Sequence, residues 1–276
     1  MSQILFQNKK FFYRVEGKGK PVMLLHGFGE DGRIWDNQVS LLQKNFLLII
    51  PDLPGSGQSE MLDGKCSLED YAAVIKMIAE QEISKLGEKN KFSLIGHSMG
   101  GYITLAFAQK YPELLSSIGL FHSSALKDTK EKIADRKKGI AFIKKNGTEA
   151  FLKTAIPNLF SEETKKNKPE FFPRLFDIAK SISGEALIQY YEAMILRPDR
   201  TEVLRTFQKP VLFIIGKTDP VVPLQSSLEQ CYFPAISTVN VLQHSGHEGM
   251  WEEQETATIY LKEFLEFSFS ENRWAK

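Results

Sequence analysis

Residues 96–101 read Gly-His-Ser-Met-Gly-Gly, behind the apolar run Phe92 to Ile95 and ahead of Tyr102 to Tyr111, where apolar residues recur at helical spacing. Ser98 therefore falls on a strand-to-helix turn, the setting of a nucleophile elbow. A serine hydroxyl is a poor nucleophile at neutral pH and must be presented to a base. Gly96, Gly100 and Gly101 let the backbone make a turn tight enough to do so. A helix-capping serine would need only its hydroxyl and leaves the flanking glycines unexplained.

Three further segments extend the pattern. Pro21 to Leu25 runs into His26-Gly27-Phe28-Gly29, Ile214-Ile215-Gly216 runs into Lys217-Thr218-Asp219-Pro220, and Ser245-Gly246-His247-Glu248-Gly249 comes last. With these motifs the chain resembles the α/β-hydrolases over nearly its whole length. The resemblance implies that Ser98 is the nucleophile, His247 the general base and Asp219 the acid that orients it. Their order, Ser98, Asp219, His247, is the one expected of that fold and differs from the two other common triad orders. It also implies an oxyanion hole made by the backbone N–H groups of Met99, directly after the serine, and Phe28, after His26-Gly27. Glu252 stands where an acid often follows the histidine, and Gln254 replaces a proline frequent just beyond it.

Other residues compete for these roles. His244 is the rival base but belongs to the end of a strand. His26, His97 and His122 lie at strand ends or in the elbow, where histidines pack and hydrogen-bond around a site. The family's alternative acid position, after Phe121, reads His122-Ser123-Ser124-Ala125 and holds no carboxylate. Asp52, in Pro51-Asp52-Leu53-Pro54-Gly55, reads as a structural turn. His26, Trp35 and Met250 are expected to line the substrate pocket. Serine at the elbow disfavours the dehalogenase and epoxide-hydrolase chemistries, which use an aspartate there. No metal-ligand spacing, phosphate loop or dinucleotide fingerprint occurs, so no metal and no cofactor is expected.

The elements that must hold these residues alternate. Val22 to Leu25, Phe46 to Ile50, Phe92 to Ile95, Ile118 to Phe121, Val211 to Ile215 and Thr238 to Leu242 read as buried strands. Ile34 to Lys44, Leu68 to Leu86 and Tyr102 to Tyr111 read as helices, with Ser67 capping the second. An opening hairpin pairs Ile4 to Gln7 with Phe11 to Val15 around Asn8-Lys9-Lys10. The fold class is α/β: a mostly parallel twisted sheet with helices on both faces. From Ser123 to Arg200 the alternation stops, and a helical cap is expected, its first helix running from Thr129 to Lys145 and stopping at Asn146-Gly147. The core is thus 1–122 and 201–276, the cap 123–200.

A chain of 276 residues, 42% hydrophobic, can bury a large core. Its net charge of +1 gives no general attraction to nucleic acid or membrane, and no apolar run is long enough to span a bilayer. Cys66 and Cys231 read as unpaired thiols, and the polar N-terminus argues for the cytoplasm. The cap holds 16 Lys and Arg against 11 Asp and Glu, a surplus expected either of solvated helix faces or of a surface that attracts an anionic substrate or an acidic carrier. The function expected is a serine hydrolase of small carboxylic esters or thioesters. Hydrolysis of an acyl-carrier-protein methyl ester and a non-catalytic ligand-binding role are the alternatives.

Overall fold

The computed structural model describes residues 1–87 and 90–270. The apolar runs form one sheet of eight strands: β1 (Ser2–Phe6), β2 (Lys9–Gly17), β3 (Lys20–Leu25), β4 (Phe46–Pro51), β5 (Phe92–His97), β6 (Leu115–Phe121), β7 (Val211–Gly216) and β8 (Ser237–Leu242). Their order is β1-β2-β4-β3-β5-β6-β7-β8. The β1–β2 and β2–β4 pairs are antiparallel, and the others are parallel. β5 and β7 are buried along their whole length, as strands covered on both faces must be, so they show no polar alternation. The opening hairpin turns at Gln7 (φ 51°) and Asn8 (φ 61°), not over residues 8–10. Two successive left-handed residues match the twist of the flanking strands, so the turn closes early and Lys9 already belongs to β2.

The core helices before the site are α1 (Asp36–Leu42), α2 (Leu68–Ile83) and α3 (Met99–Lys110). Ser67 caps α2 in a reciprocal pair with Asp70. α3 starts three residues before the apolar periodicity does, because the glycine-rich turn is itself its first turn.

Between β6 and β7 the chain inserts six helices among its described residues: α4 (Lys130–Asn146), α5 (Thr148–Ala155), α6 (Glu162–Asn167), α7 (Phe171–Ala179), α8 (Gly184–Leu196) and α9 (Thr201–Thr206). Thr129 caps α4, and Gly147 at φ 83° ends it. α8 ties the insert to the core through buried polar groups. Tyr190 donates to the Pro54 carbonyl at 2.7 Å, and Gln189 donates to Leu62 and Gly64 while accepting from the Tyr71 hydroxyl. Pulling such groups apart inside the protein would leave them unpaired, so these bonds fix where the insert sits.

After β7 come α10 (Leu224–Gln230), α11 (Gly249–Glu252) and α12 (Gln254–Ser268). No helix among the described residues is long and apolar enough to cross a membrane. The turns that follow β3, β5, β6, β7 and β8 all leave from the carboxyl edge of the sheet, where ligands bind in open parallel sheets.

Candidate active site

Ser98 follows β5 with φ 49° and ψ −114°, a conformation that costs a serine about 1–3 kcal/mol and persists only when its surroundings enforce it. They do. Its N–H donates to the Phe121 carbonyl at 2.9 Å, and its own carbonyl accepts from the Ser123 hydroxyl at 2.7 Å. A Cβ on Gly96 would stand 2.2 Å from the Gly100 carbonyl oxygen, and one on Gly100 would stand 2.6 Å from the His26 carbonyl. No larger residue fits at either place without moving backbone.

The hydroxyl of Ser98 lies 2.8 Å from His247 Nε2, and His247 Nδ1 lies 2.9 Å from Asp219 Oδ2. All three side chains are buried or nearly so. Burial alone would raise the Asp219 pKa, but the charge of His247 and hydrogen bonds from His122 and His247 hold it well below the usual carboxylate range. Asp219 Oδ1 also accepts from the N–H groups of Val221 and Val222, both at 2.8 Å. A fixed, ionised acid keeps the imidazole proton on Nδ1 and leaves Nε2 free to accept from the serine.

Two neighbours extend this line of hydrogen bonds in ways the sequence only hinted at. His122 reaches Asp219 Oδ2 with Nδ1 at 3.1 Å, and burial keeps it neutral by pushing its pKa down. Gly216 and Gly249 make its space, since a Cβ on either would come within 2.7 Å of the ring. Glu252 accepts from the N–H groups of Gly246, Glu248 and Ser161, clamping the loop that carries His247 onto the insert. The place of His122 at a strand end was the signal of the first, and the spacing to His247 of the second. His244, the rival base, is exposed and faces Glu163 at 3.1 Å, away from the serine.

A second buried cluster lies alongside. His97 Nδ1 is 3.0 Å from Glu30 Oε2, and its Nε2 is 3.0 Å from the His247 carbonyl. Both nitrogens face acceptors, so the ring carries two protons. Burial opposes that charge, but Glu30 beside it lifts the pKa to about 9. Glu30 also accepts from the Gly27 N–H at 2.6 Å, so the pair pins the turn that holds Phe28 to the loop that holds His247. Glu248 completes the cluster with both carboxyl oxygens buried and unpartnered among the described residues. Burial and the Glu30 charge push its pKa well above the ordinary range. The donor atoms of His97, Glu30 and Glu248 lie within 4.8 Å of one another, but His97 has no free lone pair to offer a metal.

Ser98 and His247 open onto a cavity of about 160 Å³. Phe28, Gly29 and Tyr102 line it from the core, and Phe151, Met194 and Tyr191 from the insert. The Phe28 ring stacks on Tyr191 at 4.3 Å. The N–H of Met99, first residue of α3, has no acceptor within its own helix.

The three expected pocket residues are not on this wall. His26 is buried behind it, accepting at Nε2 from Leu53 N–H and facing the Ser56 hydroxyl. Trp35 packs edge-on against Phe121 in the core, and the Met250 carbonyl accepts from Gln38. All three sit close to the motifs in sequence but point into the core, and the insert supplies most of the wall instead.

Residues 20–135 match the family model for the alpha/beta hydrolase fold. A thermophilic esterase from Thermogutta terrifontis, solved with malate bound, superposes with a TM-score of 0.87 at 29% identity over 95% of both chains. Monoacylglycerol lipase abhd6-A of Xenopus laevis is 26% identical over 94% of this chain and 80% of the lipase. A Mycobacterium tuberculosis protein is 28% identical over 106 residues, and there the match spans only 30% of the relative's length.

Proposed function

We propose, for a chain with the α/β-hydrolase fold, a serine hydrolase that cleaves carboxylic esters or thioesters through an acyl-enzyme on Ser98. The observation that carries this reading is the unbroken line from the Ser98 hydroxyl through His247 to Asp219, at 2.8 and 2.9 Å, on the wall of a cavity. His247 takes the serine proton as Oγ attacks the acyl carbon, and returns it to the departing alcohol or thiol. Asp219 stabilises the imidazolium formed in between. The backbone N–H groups of Met99 and Phe28 hold the negative oxygen of the tetrahedral intermediate, and need not reorganise to do so. Water, activated by the same histidine, then releases the acid.

In this reading residues 123–200 act as a cap that selects the substrate, since most of the cavity wall beyond the serine comes from them. The esterase and lipase relatives support ester substrates. An acidic acyl carrier is the weaker substrate reading, because several lysines of the cap, Lys138, Lys165 and Lys180 among them, already pair with acids three residues away. Two free, buried thiols, Cys66 and Cys231, fit a reducing compartment such as the cytoplasm.

A fluorophosphonate probe followed by peptide mass spectrometry tests the proposal. The adduct is expected on Ser98 and absent from Ser98→Ala, which should also lose esterase activity by about 10⁴-fold or more while keeping its fold. Labelling elsewhere, or an active Ser98→Ala protein, would overturn it.

A further inference from the structure

Four lysines of the insert pair with acids of the insert itself, which localises those charges but leaves its net positive charge as it was. Lys138 pairs with Asp135, Lys153 with Glu149, Lys165 with Glu162 and Lys180 with Asp177, all within a turn of the same helix. Arg136 behaves differently. It turns inward from α4 and lines the same cavity as Ser98, beside Tyr102 and Tyr191. Its Nε lies 2.6 Å from Asp128 Oδ2 and its Nη2 lies 3.3 Å from Oδ1. Asp128 is buried and also meets Arg197 Nη1 at 2.8 Å, and the Arg197 guanidinium lies 3.9 Å over the Tyr102 ring. One carboxylate therefore answers two guanidiniums.

The remaining positive charge is not cancelled by the acids that share the cavity wall. Glu30 is paired with the His97 ring at 3.0 Å, and the carboxyl oxygens of Glu248 meet no partner among the described residues, Arg136 included. Arg136 Nη1 has no hydrogen-bond partner among the described residues, and neither do the hydroxyls of Tyr102 and Tyr191. Those are donors grouped around one uncompensated charge in a pocket otherwise lined by apolar side chains such as Leu152, Ile156 and Met194. Guanidinium geometry matches a carboxylate with two parallel N–H groups, and the edge formed by Nη1 and Nη2 is the one not spent on Asp128.

We propose that Arg136 anchors a substrate carboxylate, so that the preferred substrates are small esters whose acid portion carries a second, ionised carboxyl group. This rests on the reading of Ser98 as the nucleophile, but it makes a separate claim about what the cavity binds. The apolar walls take the methylene chain between the two carbonyl carbons. One end meets Ser98, and the other meets Arg136 with Tyr102 and Tyr191 as further donors.

Monoethyl glutarate and ethyl pentanoate, equal in length and differing in one terminal carboxylate, provide the comparison. The wild type is expected to favour the charged ester in kcat/KM. Arg136→Met should lower the ratio of charged to neutral ester by about 30-fold, the scale of losing a hydrogen bond to a charged group, with Arg136→Lys between. Asp128 keeps Arg197 in these variants, so no buried carboxylate is orphaned. An unchanged ratio, or a wild type indifferent to the carboxylate, would overturn the inference while leaving the hydrolase reading intact. Failure of Ser98 labelling would remove that reading alone, because a binding arm remains. Glutarate should raise the melting temperature of Ser98→Ala and not that of Ser98→Ala with Arg136→Met. If glutarate stabilises neither protein, or both equally, Arg136 is no carboxylate anchor.

Discussion

Two histidine–carboxylate clusters lie side by side in this protein, the His247 and His97 rings only 4.9 Å apart. Each has a buried imidazole held by a buried acid. In one, Asp219 occupies one nitrogen of His247 and the other nitrogen faces a serine hydroxyl that has a proton to give. In the other, Glu30 occupies one nitrogen of His97 and a backbone carbonyl occupies the second. The first ring keeps a lone pair directed at a group that can be deprotonated, and the second has spent both nitrogens on acceptors. Burial and an acidic neighbour are therefore not what makes a base. The partner of the far nitrogen is, and in the proposed reading it separates a proton carrier from a structural strap.

The sharpest way to break this contrast is to remove each histidine. His247→Ala and Asp219→Asn are expected to lower kcat on an aryl ester by about 10⁴-fold in protein that still folds. His97→Gln should spare most of kcat while costing about 5–9 °C of melting temperature, the scale of breaking a buried pair. Comparable losses of kcat in folded His97→Gln and His247→Ala proteins would erase the distinction.

A pH series sharpens it further. The His97 pKa is raised to about 9 in the folded protein, so its stabilising effect is complete below the unfolded value of about 6.5 and is lost as pH rises through 9. Glu30 is held below its ordinary value, so its share is present above that value and is lost in acid. The melting-temperature gap between wild type and His97→Gln should be widest near pH 5–6.5 and should shrink by pH 10. A gap that grows in alkali would mean that the ring is neutral.

Smaller effects are expected beyond the two rings. His122→Gln removes one contact to Asp219 but leaves two backbone N–H groups on that carboxylate, so kcat should fall by about tenfold or less. His244→Ala should alter it by less than about twofold, because its exposed pair with Glu163 touches nothing in the site. A dead His244→Ala enzyme would mean that the wrong histidine has been assigned to the serine.

The turns that carry Ser98, Asp219 and His247 were legible because their chemistry is local, while the roles proposed for the three came from the resemblance. Glycines flank the serine, a proline follows the acid, and a Ser-Gly pair precedes the histidine. The sheet was legible for the same reason, since strands buried on both faces read as short unbroken apolar runs. The pocket was not. Its wall comes from α4, α5 and α8 meeting Phe28 and Tyr102, and periodicity within a helix cannot say which distant surface that helix will face. His26, Trp35 and Met250 shared apolar or polar character with true wall residues, and only packing separates them. A count of charges is blind in a similar way, because it does not see that Lys138 is paired and Arg136 is turned inward.

The insert leaves β6 at Phe121 and returns in β7 at Val211, and those two strands are hydrogen-bonded neighbours in register. Whatever lies between them is, to the folding sheet, a single loop to be closed. The entropy of closing a loop grows only with the logarithm of its length, and doubling the length costs about 0.6 kcal/mol. Residues 122–210 could therefore lengthen, shorten or be replaced over evolutionary time with little penalty to the pairing of β6 with β7. On the proposed reading, a lineage could thus exchange the walls around the substrate while inheriting its serine, acid and histidine unaltered.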